Sequence, residues 1–402
     1  MNHASKTIRI GQTLLPNRLM KSAMSEQLGD SKHNPKPELA RLYRTWAEGG
    51  TGLLVTGNIM ISSDALAEPS NIVLDDSSNL AAFRYWTSAT QHFSSQLWAQ
   101  LNHPGKQSSK FLSKAPLAPS AIALQGSHKK GFNAPLEMTE AQIQKVIRQF
   151  AISAKLAKDV GFDGVQLHAA HGYLINQFLS PTHNQRVDHW GGAVANRMFF
   201  LLNVYHACRE AVGDDFPISV KLNSSDFEPG GYNENDCLAV MKALETAGVD
   251  MIELSGGTYE VAAMMGEQTH SERNLCFSQF ARQVKQEISI PIAVTGGFRS
   301  SQHIQETLAE GVDLIGLGRP LTVEPSFSKL VVNGDSVDMQ TPTPTTGYQR
   351  IDQAIMVHLI WFEVQIHRLS KGLKPNLKLS AWSSAWHMLK MIGLNAFKPR
   401  RI

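Results

Sequence analysis

Apolar runs alternate with amphipathic stretches along most of this chain. Four times, a helix-like stretch ends at glycine and leads into a short apolar strand that ends in polar residues or glycine. Strands such as VQL, MIEL and LIGL are rich in leucine or β-branched residues, as is typical of strands buried on both faces. The preceding stretches repeat apolar residues at helical spacing. This alternation predicts parallel βα units at AEGGTGLLVTGN (47–58), KDVGFDGVQLHA (158–169), TAGVDMIELSGG (246–257) and AEGVDLIGLGR (309–319).

Further apolar segments at 17–23, 96–103, 217–223 and 291–297 bring the number of candidate strands to eight. Eight βα units predict an α/β protein of the closed (β/α)8 TIM-barrel class. An open, doubly wound sheet is the alternative, although no G-x-G-x-x-G motif follows the first strand. We assign the barrel to residues 1–340.

The remaining residues, 341–402, differ from the barrel in charge and patterning. TPTPTT (341–346) indicates a linker, and 351–369 and 381–397 show apolar residues at helical spacing. This extension carries nine Lys/Arg and two Asp/Glu, whereas residues 1–340 carry 29 and 33. We predict a helical, basic C-terminal extension that packs on the barrel or on a partner subunit. A membrane-surface contact through its tryptophans and basic end is not favoured, and a homo-oligomer stays open.

Composition excludes several classes of protein. With 42% hydrophobic and 18% charged residues, the chain is typical of a globular protein. Cys208, Cys237 and Cys276 lie far apart without a CxxC motif, which excludes a disulfide framework, a zinc ribbon and a cysteine-ligated cluster. The scattered basic residues match no nucleic-acid-reading motif. Because no apolar run approaches membrane-span length and the N-terminus lacks a signal-peptide core, we expect a cytoplasmic protein.

The carboxyl ends of barrel strands are where chemistry is expected. Here they carry a polar ring of amides, imidazoles, one lysine and two glycine-rich turns, without a carboxylate pair for glycoside chemistry or a Ser-His-Asp order. VTGGF (294–298) and GLGRP (316–320) follow the last two strands, where many barrels bind phosphate. Glycine lets backbone N–H groups approach an anion, and Arg319 adds a positive charge. A phosphate site is predicted, with turns that need glycine only for shape as the alternative.

Several of these segments resemble the old yellow enzyme family of FMN-dependent NAD(P)H:flavin oxidoreductases. The most specific is GFDGVQLHAAHGYLINQFLSPTHNQRVDHWGGAVANR (161–197), which is similar to the strand-four region of that family. The resemblance extends over residues 7–325 and implies an FMN-containing flavoprotein that takes hydride from NADH or NADPH and reduces activated alkenes. The other similar segments, in family order, are NRLMKSAMS (17–25), WAQLNHPGK (98–106), VKLNSSDF (220–227), VTGGF (294–298) and DLIGLGRP (313–320).

The resemblance implies a set of FMN-binding residues. Gln100 would pair with the pyrimidine edge of the flavin, and Lys221 would lie where reduction leaves negative charge on the ring. Ser25 occupies the position that tunes the flavin in relatives, and Gly57 would leave room for the ring. The full cofactor-binding set comprises Ser22, Ala23, Ser25, Gly57, Gln100, Lys221, Gly297, Gly318 and Arg319, of which the last three would hold the phosphate.

The motif H-x-x-H-x-Y after the fourth strand is implied as the substrate site. The N–H groups of His168 and His171 would converge on the carbonyl oxygen of an enone while hydride reaches the β-carbon. Tyr173 would protonate the α-carbon from the opposite face. From the residues alone, the two histidines could also be metal ligands, although the segment contains no third ligand. They could also be buried histidines whose hydrogen bonds are made within the barrel. We expect catalytic and substrate-binding roles for all three residues, and no metal.

The sequence also departs from its relatives. Lys21 stands where relatives usually have an apolar residue, and Lys221 replaces the arginine of many members. Dienoyl-CoA reductase-type relatives append a cysteine-ligated cluster and a second nucleotide-binding domain, whose cysteines are missing here, so we expect a single-barrel reductase. Two other functions stay open: a phosphate-binding barrel isomerase or lyase that uses Lys221, and a flavin-binding interaction protein without turnover.

Overall fold

Eight parallel strands close into a barrel in the computed structural model, which describes residues 2–126, 129–258 and 279–396. Each strand pairs in parallel with the next, and the first pairs with both the second and the eighth. Closure confirms the predicted (β/α)8 class and excludes the open sheet. The barrel strands are β1 (Leu19–Lys21), β2 (Leu53–Met60), β3 (Gln96–Asn102), β4 (Gly164–Ala169), β5 (Ile218–Asn223), β6 (Met251–Ser255), β7 (Ile292–Thr295) and β8 (Leu314–Leu317).

Helices surround the barrel, and local signals explain where several of them begin and end. Thr139 and Gln142 form a reciprocal capping box at the start of α3, and Gly248, in the left-handed conformation with φ +89°, ends α7. The helices are α1 (Pro37–Glu48), α2 (Leu80–Ser88), α3 (Glu140–Asp159), α4 (Leu174–Leu179), α5 (Val194–Arg197), α6 (Phe199–Val212), α7 (Glu234–Ala247), α8 (Ser301–Ala309), α9 (Arg319–Val323), α10 (Phe327–Asn333), α11 (Gln349–Ile355), α12 (Val357–Ser370) and α13 (Ala381–Ala396).

Several short strands lie outside the ring of eight barrel strands. Ile8–Ile10 and Thr13–Leu15 form an antiparallel hairpin whose Ile10 and Leu15 join the apolar cluster that fills the lower barrel. Ile72–Val73 extends from β2, and Leu117–Ala118 pairs with Leu136–Glu137 outside the barrel. The hairpin therefore closes the base, so that the open end is the one where the strands finish. The remaining members of the cluster are Met20, Leu53, Val55, Trp98, Met251, Ala293 and Leu314.

The C-terminal extension packs against the outside of the barrel. The prediction of a single helix over 351–369 is wrong in one respect. The structure has two helices there, α11 and α12, with Met356 at a φ of +50° between them. Helix α12 packs on α1 and α9, and Arg41 of α1 donates to the Ser370 carbonyl at 3.1 Å. Residues 397–402, which include the predicted basic end, lie outside the described residues. Within the described part of the chain, no helix combines the length and apolarity needed to cross a bilayer.

Candidate active site

A buried carboxylate organises the polar layer above the apolar base. Glu253, in the middle of β6, is fully buried and lies 2.9 Å from Lys221 Nζ on β5. Thr295 donates to Glu253 Oε1 at 2.6 Å, and Gln166 donates to Oε2 at 2.9 Å. Both carboxylate oxygens of Glu253 accept hydrogen bonds, and Lys221 balances its negative charge. A buried ion pair is stable only when its charges are paired and its polar atoms are hydrogen-bonded, as they are here. Lys221 therefore occupies the barrel interior with its charge already balanced.

Two of the predicted cofactor-binding residues belong to the same layer. Gln100 donates through Nε2 to Gln166 Oε1 at 2.7 Å, so one end of its amide is engaged within the protein. Ser22 shares a 2.7 Å hydrogen bond with Thr295 at the end of β7. A Cβ on the intervening Gly316 would lie 1.8 Å from Thr295 Oγ1, which explains why β8 has glycine there. Side chains of this layer thus link the end of β1 with β3, β4, β5, β6 and β7.

The H-x-x-H-x-Y motif brings three rings together at the end of β4. The ring centroids of His168 and His171 are 5.2 Å apart, and those of His168 and Tyr173 are 4.8 Å apart, both edge to face. The Ala170 N–H donates to His168 Nδ1 at 3.3 Å, which places the His168 proton on Nε2. His171 Nε2 lies 2.8 Å from Ser255 Oγ at the end of β6. Tyr173 accepts a hydrogen bond from Asn58 Nδ2 at 3.3 Å.

Both histidines are held neutral. Burial, the neighbouring His171 and Lys221 hold the pKa of His168 well below its usual range. Burial and Lys221 do the same for the pKa of His171. A neutral imidazole has one N–H donor and one acceptor, so this pair can hydrogen-bond an oxygen without carrying a permanent charge. Such donors suit an oxygen on which negative charge develops.

The glycine turns after β7 and β8 lie beside two arginines. Gly296 and Gly297 have φ values of +148° and +66°, a backbone that favours glycine, and Gly318 precedes α9. Burial and the like charge of Arg299 lower the pKa of Arg319 to about 10, and burial also lowers the pKa of Arg299. No carboxylate among the described residues pairs with Arg299. Two neighbouring guanidinium groups that repel each other form a site suited to an anion.

Ser25 and Ala23, which follow β1, and Gly57, which lies within β2, have different surroundings. Ser25, exposed after β1, donates to Glu68 Oε2 at 2.5 Å, whereas Ala23 packs against the apolar cluster of the base. A Cβ on Gly57 would lie 2.1 Å from Glu26 Oε2, so the approach of Glu26 by itself requires glycine there. The Gly57 N–H donates to both carboxylate oxygens of Glu26 at 3.1 Å.

Sequence reasoning missed four residues that the structure places at this site. Glu253 and Gln166 are polar residues inside otherwise apolar buried strands, a signal that was available. Glu26 follows the first strand and balances the buried Lys21, which the sequence marked only as unusual. Arg299 follows the VTGGF turn and needed tertiary structure to bring it beside Arg319.

The residues at the mouth fit the FMN that the resemblance implies. The two guanidinium groups match a phosphate, and the neutral histidines and Lys221 match a ring system that carries oxygen and nitrogen acceptors. Both amide atoms of Asn102 and Oδ1 of Asn58 are buried without a hydrogen-bond partner in the described structure. Asn102 lies two residues beyond Gln100 and therefore on the same face of β3. Buried polar atoms of this kind favour a polar ligand at the mouth.

Comparisons with known proteins identify the family and the fold of this chain. The model of the NADH:flavin oxidoreductase / NADH oxidase family matches residues 6–336. The NADH-dependent flavin oxidoreductase iliE of Neonectria sp. (strain DH2) is 38% identical over 355 residues, which cover 81% of this chain and 46% of that protein. The NADH-dependent flavin oxidoreductase iccE of Talaromyces variabilis is 32% identical over 404 residues, covering 91% and 97%. The old yellow enzyme homologue from Zymomonas mobilis shares the fold, with a TM-score of 0.72 at 22% identity over 85% of this chain and 95% of that one.

Proposed function

This chain belongs to the NADH:flavin oxidoreductase / NADH oxidase family, and from that membership we propose that it reduces the activated C=C bond of an α,β-unsaturated carbonyl compound. The membership confirms the resemblance found in the sequence. FMN is the cofactor of this family, and NADH or NADPH is its hydride donor. The chain spans less than half of the Neonectria relative. The substrate class proposed here is therefore inferred from the site and not from the names of its relatives.

The observation that carries the proposal is the neutral histidine pair at the end of β4. His168 presents a proton on Nε2, and His171 lies 5.2 Å away between ring centroids. With Ser255 donating to His171 Nε2, His171 keeps its proton on Nδ1 as the second donor. Two such donors can bind a single carbonyl oxygen and stabilise the charge that grows on it when hydride reaches the β-carbon. Because both imidazoles are neutral, they bind an acceptor oxygen without binding anions indiscriminately.

Tyr173 would supply the proton to the α-carbon. Its ring contacts His168, and its hydroxyl oxygen accepts from Asn58, which turns its own O–H away from that amide. A phenol is a weak acid, so it would donate its proton only as carbanion character develops on the substrate. Asn58 on β2 and His168 on β4 both contact Tyr173, and the His168 ring also contacts His171, so the proton donor and the oxyanion donors would lie in one group.

The residues that would hold FMN form two groups. Ser22, Ala23, Ser25, Gly57 and the polar layer with Gln100 and Lys221 would contact the ring system. Gly297, Gly318 and Arg319, together with Arg299, would hold the phosphate. The chemistry that FMN supplies when bound is hydride transfer from the nicotinamide to the acceptor. Lys221 already pairs with Glu253, which argues against the isomerase or lyase alternative that needs a free lysine.

The test combines an absorption spectrum with two histidine variants. We expect the purified protein to be yellow, and His168→Ala or His171→Ala to lower kcat for a cyclohexenone-type acceptor by about 10²–10³-fold. Both variants should also weaken the charge-transfer band that a phenol induces over the flavin. His92→Ala, which changes an exposed histidine, is the matched control and should retain both properties.

Three results would refute the proposal. A colourless protein would favour a barrel isomerase or lyase. Retained FMN without NAD(P)H oxidation would favour a flavin-binding interaction protein. An intact phenol band in both histidine variants would remove the oxyanion role assigned to the pair.

A further inference from the structure

The C-terminal extension has an inner and an outer layer. Helix α12 forms the inner layer and contacts the loop after β1 that carries Ser25. Gln27 Nε2 of this loop donates to Glu363 at 2.6 Å. His367 donates from Nε2 to the Glu26 carbonyl of the same loop at 2.7 Å. Helix α13 packs in turn against α12 and forms the outer layer, so it is attached to the barrel through α12.

One face of α13 is covered, and the opposite face is exposed. Ala381 and Ser384 are buried. Trp382, Trp386 and Leu389 follow each other at intervals of four and three residues, which places them on one face of the helix. They are 51%, 61% and 59% exposed. The sequence did not favour a membrane contact because it does not show which side of the helix is covered, and the structure leaves both tryptophans on the uncovered side.

The connection between α12 and α13 adds to this exposed apolar surface. Leu373 and Leu377 are 48% and 52% exposed. Large apolar side chains that are exposed singly are ordinary, but five within the 17 residues 373–389 are a concentration that indicates an interaction site. We call these five side chains the outer patch: Leu373, Leu377, Trp382, Trp386 and Leu389.

Lysines accompany the outer patch along the chain. Lys390 Nζ lies 5.6 Å from the Trp386 ring centroid, so a cationic group and an aromatic group of the patch are adjacent. Within the described part of the chain, no lysine of residues 371–390 forms an ion pair. Their charges are therefore available to a partner. The four lysines, all exposed, are Lys371, Lys374, Lys378 and Lys390.

The distribution of charge decides which partner fits the outer patch. Residues 371–402 contain seven Lys/Arg and no Asp/Glu, whereas residues 1–340 contain 29 and 33. In a symmetric dimer the same surface of each copy meets itself, so lysines would face lysines. An anionic bilayer instead attracts the lysines, and its interfacial region is where tryptophan side chains are enriched. Helix α13 has 16 residues, fewer than the ~20 needed to span a bilayer, so it would lie along the surface.

We propose that the outer patch binds the surface of an anionic phospholipid bilayer. Trp382, Trp386 and Leu389 enter the interfacial region, and the four lysines contact the lipid phosphates. Helix α12 then holds the barrel at the membrane, because it packs on both the barrel and α13. This inference goes beyond the proposed function and does not depend on it, since no residue of the outer patch belongs to the candidate active site.

The first experiment measures co-sedimentation of the full-length holoenzyme with phospholipid vesicles. Vesicles of phosphatidylglycerol and phosphatidylcholine in equal parts should bind the protein at least about 10-fold more tightly than vesicles of phosphatidylcholine alone. Raising the NaCl concentration to about 0.5 M should weaken this binding, because salt screens the lysines.

Two triple variants test the charges. The variant Lys371→Glu, Lys374→Glu, Lys378→Glu should lower the partition coefficient by about 100-fold, since each basic residue near the surface adds to the attraction. The matched control changes the net charge equally at exposed lysines elsewhere, as Lys6→Glu, Lys114→Glu, Lys329→Glu, and should retain most of the binding.

The second experiment uses tryptophan fluorescence, because the structure separates the seven tryptophans into two groups. Trp382 and Trp386 are exposed, whereas the other five are each at most 1% exposed. Brominated lipid in the anionic vesicles should therefore quench part of the holoenzyme emission. The variant Trp382→Ser, Trp386→Ser should lose this quenching and bind about 10- to 100-fold more weakly. Tyr85→Ser, Phe111→Ser, at two exposed positions before α12, is the matched control and should bind like the wild type.

The outcomes decide between a membrane and another partner. Absence of binding to anionic vesicles, or equal binding to phosphatidylcholine alone, would overturn the proposal, as would unchanged binding in either patch variant. Quenching of the wild type needs no variant, so it still decides if a variant does not fold. If ultracentrifugation without vesicles shows a dimer that the tryptophan variant converts to monomers, the patch joins two copies of this chain and the proposal is wrong. Vesicle binding by a colourless protein would support this inference and refute the proposed function.

Discussion

At the residue scale, the most informative feature is a lysine at a position where an apolar side chain was expected. Lys21 is fully buried, and its Nζ donates to Glu26 at 3.2 Å, to the Val55 carbonyl at 2.8 Å and to the Tyr43 hydroxyl at 3.1 Å. It also lies 4.8 Å from the Trp46 ring centroid. These contacts compensate for dehydration of the ammonium group, although burial still lowers the pKa of Lys21. Lys21 and Glu26 therefore act as a unit.

Lys21→Met should destabilise the protein by about 3–5 kcal/mol, because Glu26 would be left buried without its cation. The double variant Lys21→Met, Glu26→Gln should recover part of that loss, since both charges are gone. Urea denaturation of the wild type, both single variants and the double variant measures the coupling. Additive losses in the double variant would show that the two side chains do not depend on each other.

At the element scale, the strands and main helices follow local patterns, whereas the break between α11 and α12 does not. Nothing in the sequence at Met356 favours a left-handed backbone, because that conformation usually takes glycine or asparagine. The packing of α12 on α1 and α9 sets its direction instead. Trp361 holds α12 within the extension itself: it is 1% exposed, and its Nε1 donates to the Leu379 carbonyl at 2.9 Å, in the segment that precedes α13.

Trp361→Ala should weaken the docking of α12 by about 3–5 kcal/mol, as for other large core truncations. Hydrogen exchange of the amides in α12 should then become faster, and flavin binding should weaken because α12 supports the loop with Ser25. Trp382→Ala is the matched control, because that tryptophan is 51% exposed and its removal should cost little. Equal exchange in α12 for the two variants would contradict the anchoring role of Trp361.

At the scale of the whole molecule, the lowered pKa values of buried histidines make the free energy of unfolding decrease in acid. Burial lowers the pKa of His103 to about 4, and the pKa of His367 is also about 4, mainly through burial. His103 accepts from the Gly105 N–H at 3.1 Å and so closes the loop after β3. The unfolded chain binds protons on these histidines below about pH 6.5 and the folded chain does not. Stability is therefore full above that pH and falls as the pH approaches 4.

His103→Gln should reduce this acid-induced loss by about 3 kcal/mol at pH 4, because glutamine can accept from Gly105 and does not titrate. The measurement is denaturant unfolding at pH 7 and at pH 4. His92→Gln, at an exposed position, should keep the acid sensitivity of the wild type. If His103→Gln loses as much stability in acid as the wild type, His103 is not a source of the effect.

The sequence alone determined the barrel, the family and the position of the His168–Tyr173 motif, because strand and helix periodicity and a contiguous motif are local properties of the chain. It also marked Lys21 and the two glycine turns. Only the tertiary structure decided that Glu253 balances Lys221, that Arg299 joins Arg319, and that Glu363 reaches the loop of Ser25. The partners in these contacts lie between 20 and 336 residues apart. Which distant side chains meet depends on barrel closure and helix packing, and neither can be predicted from a local sequence pattern.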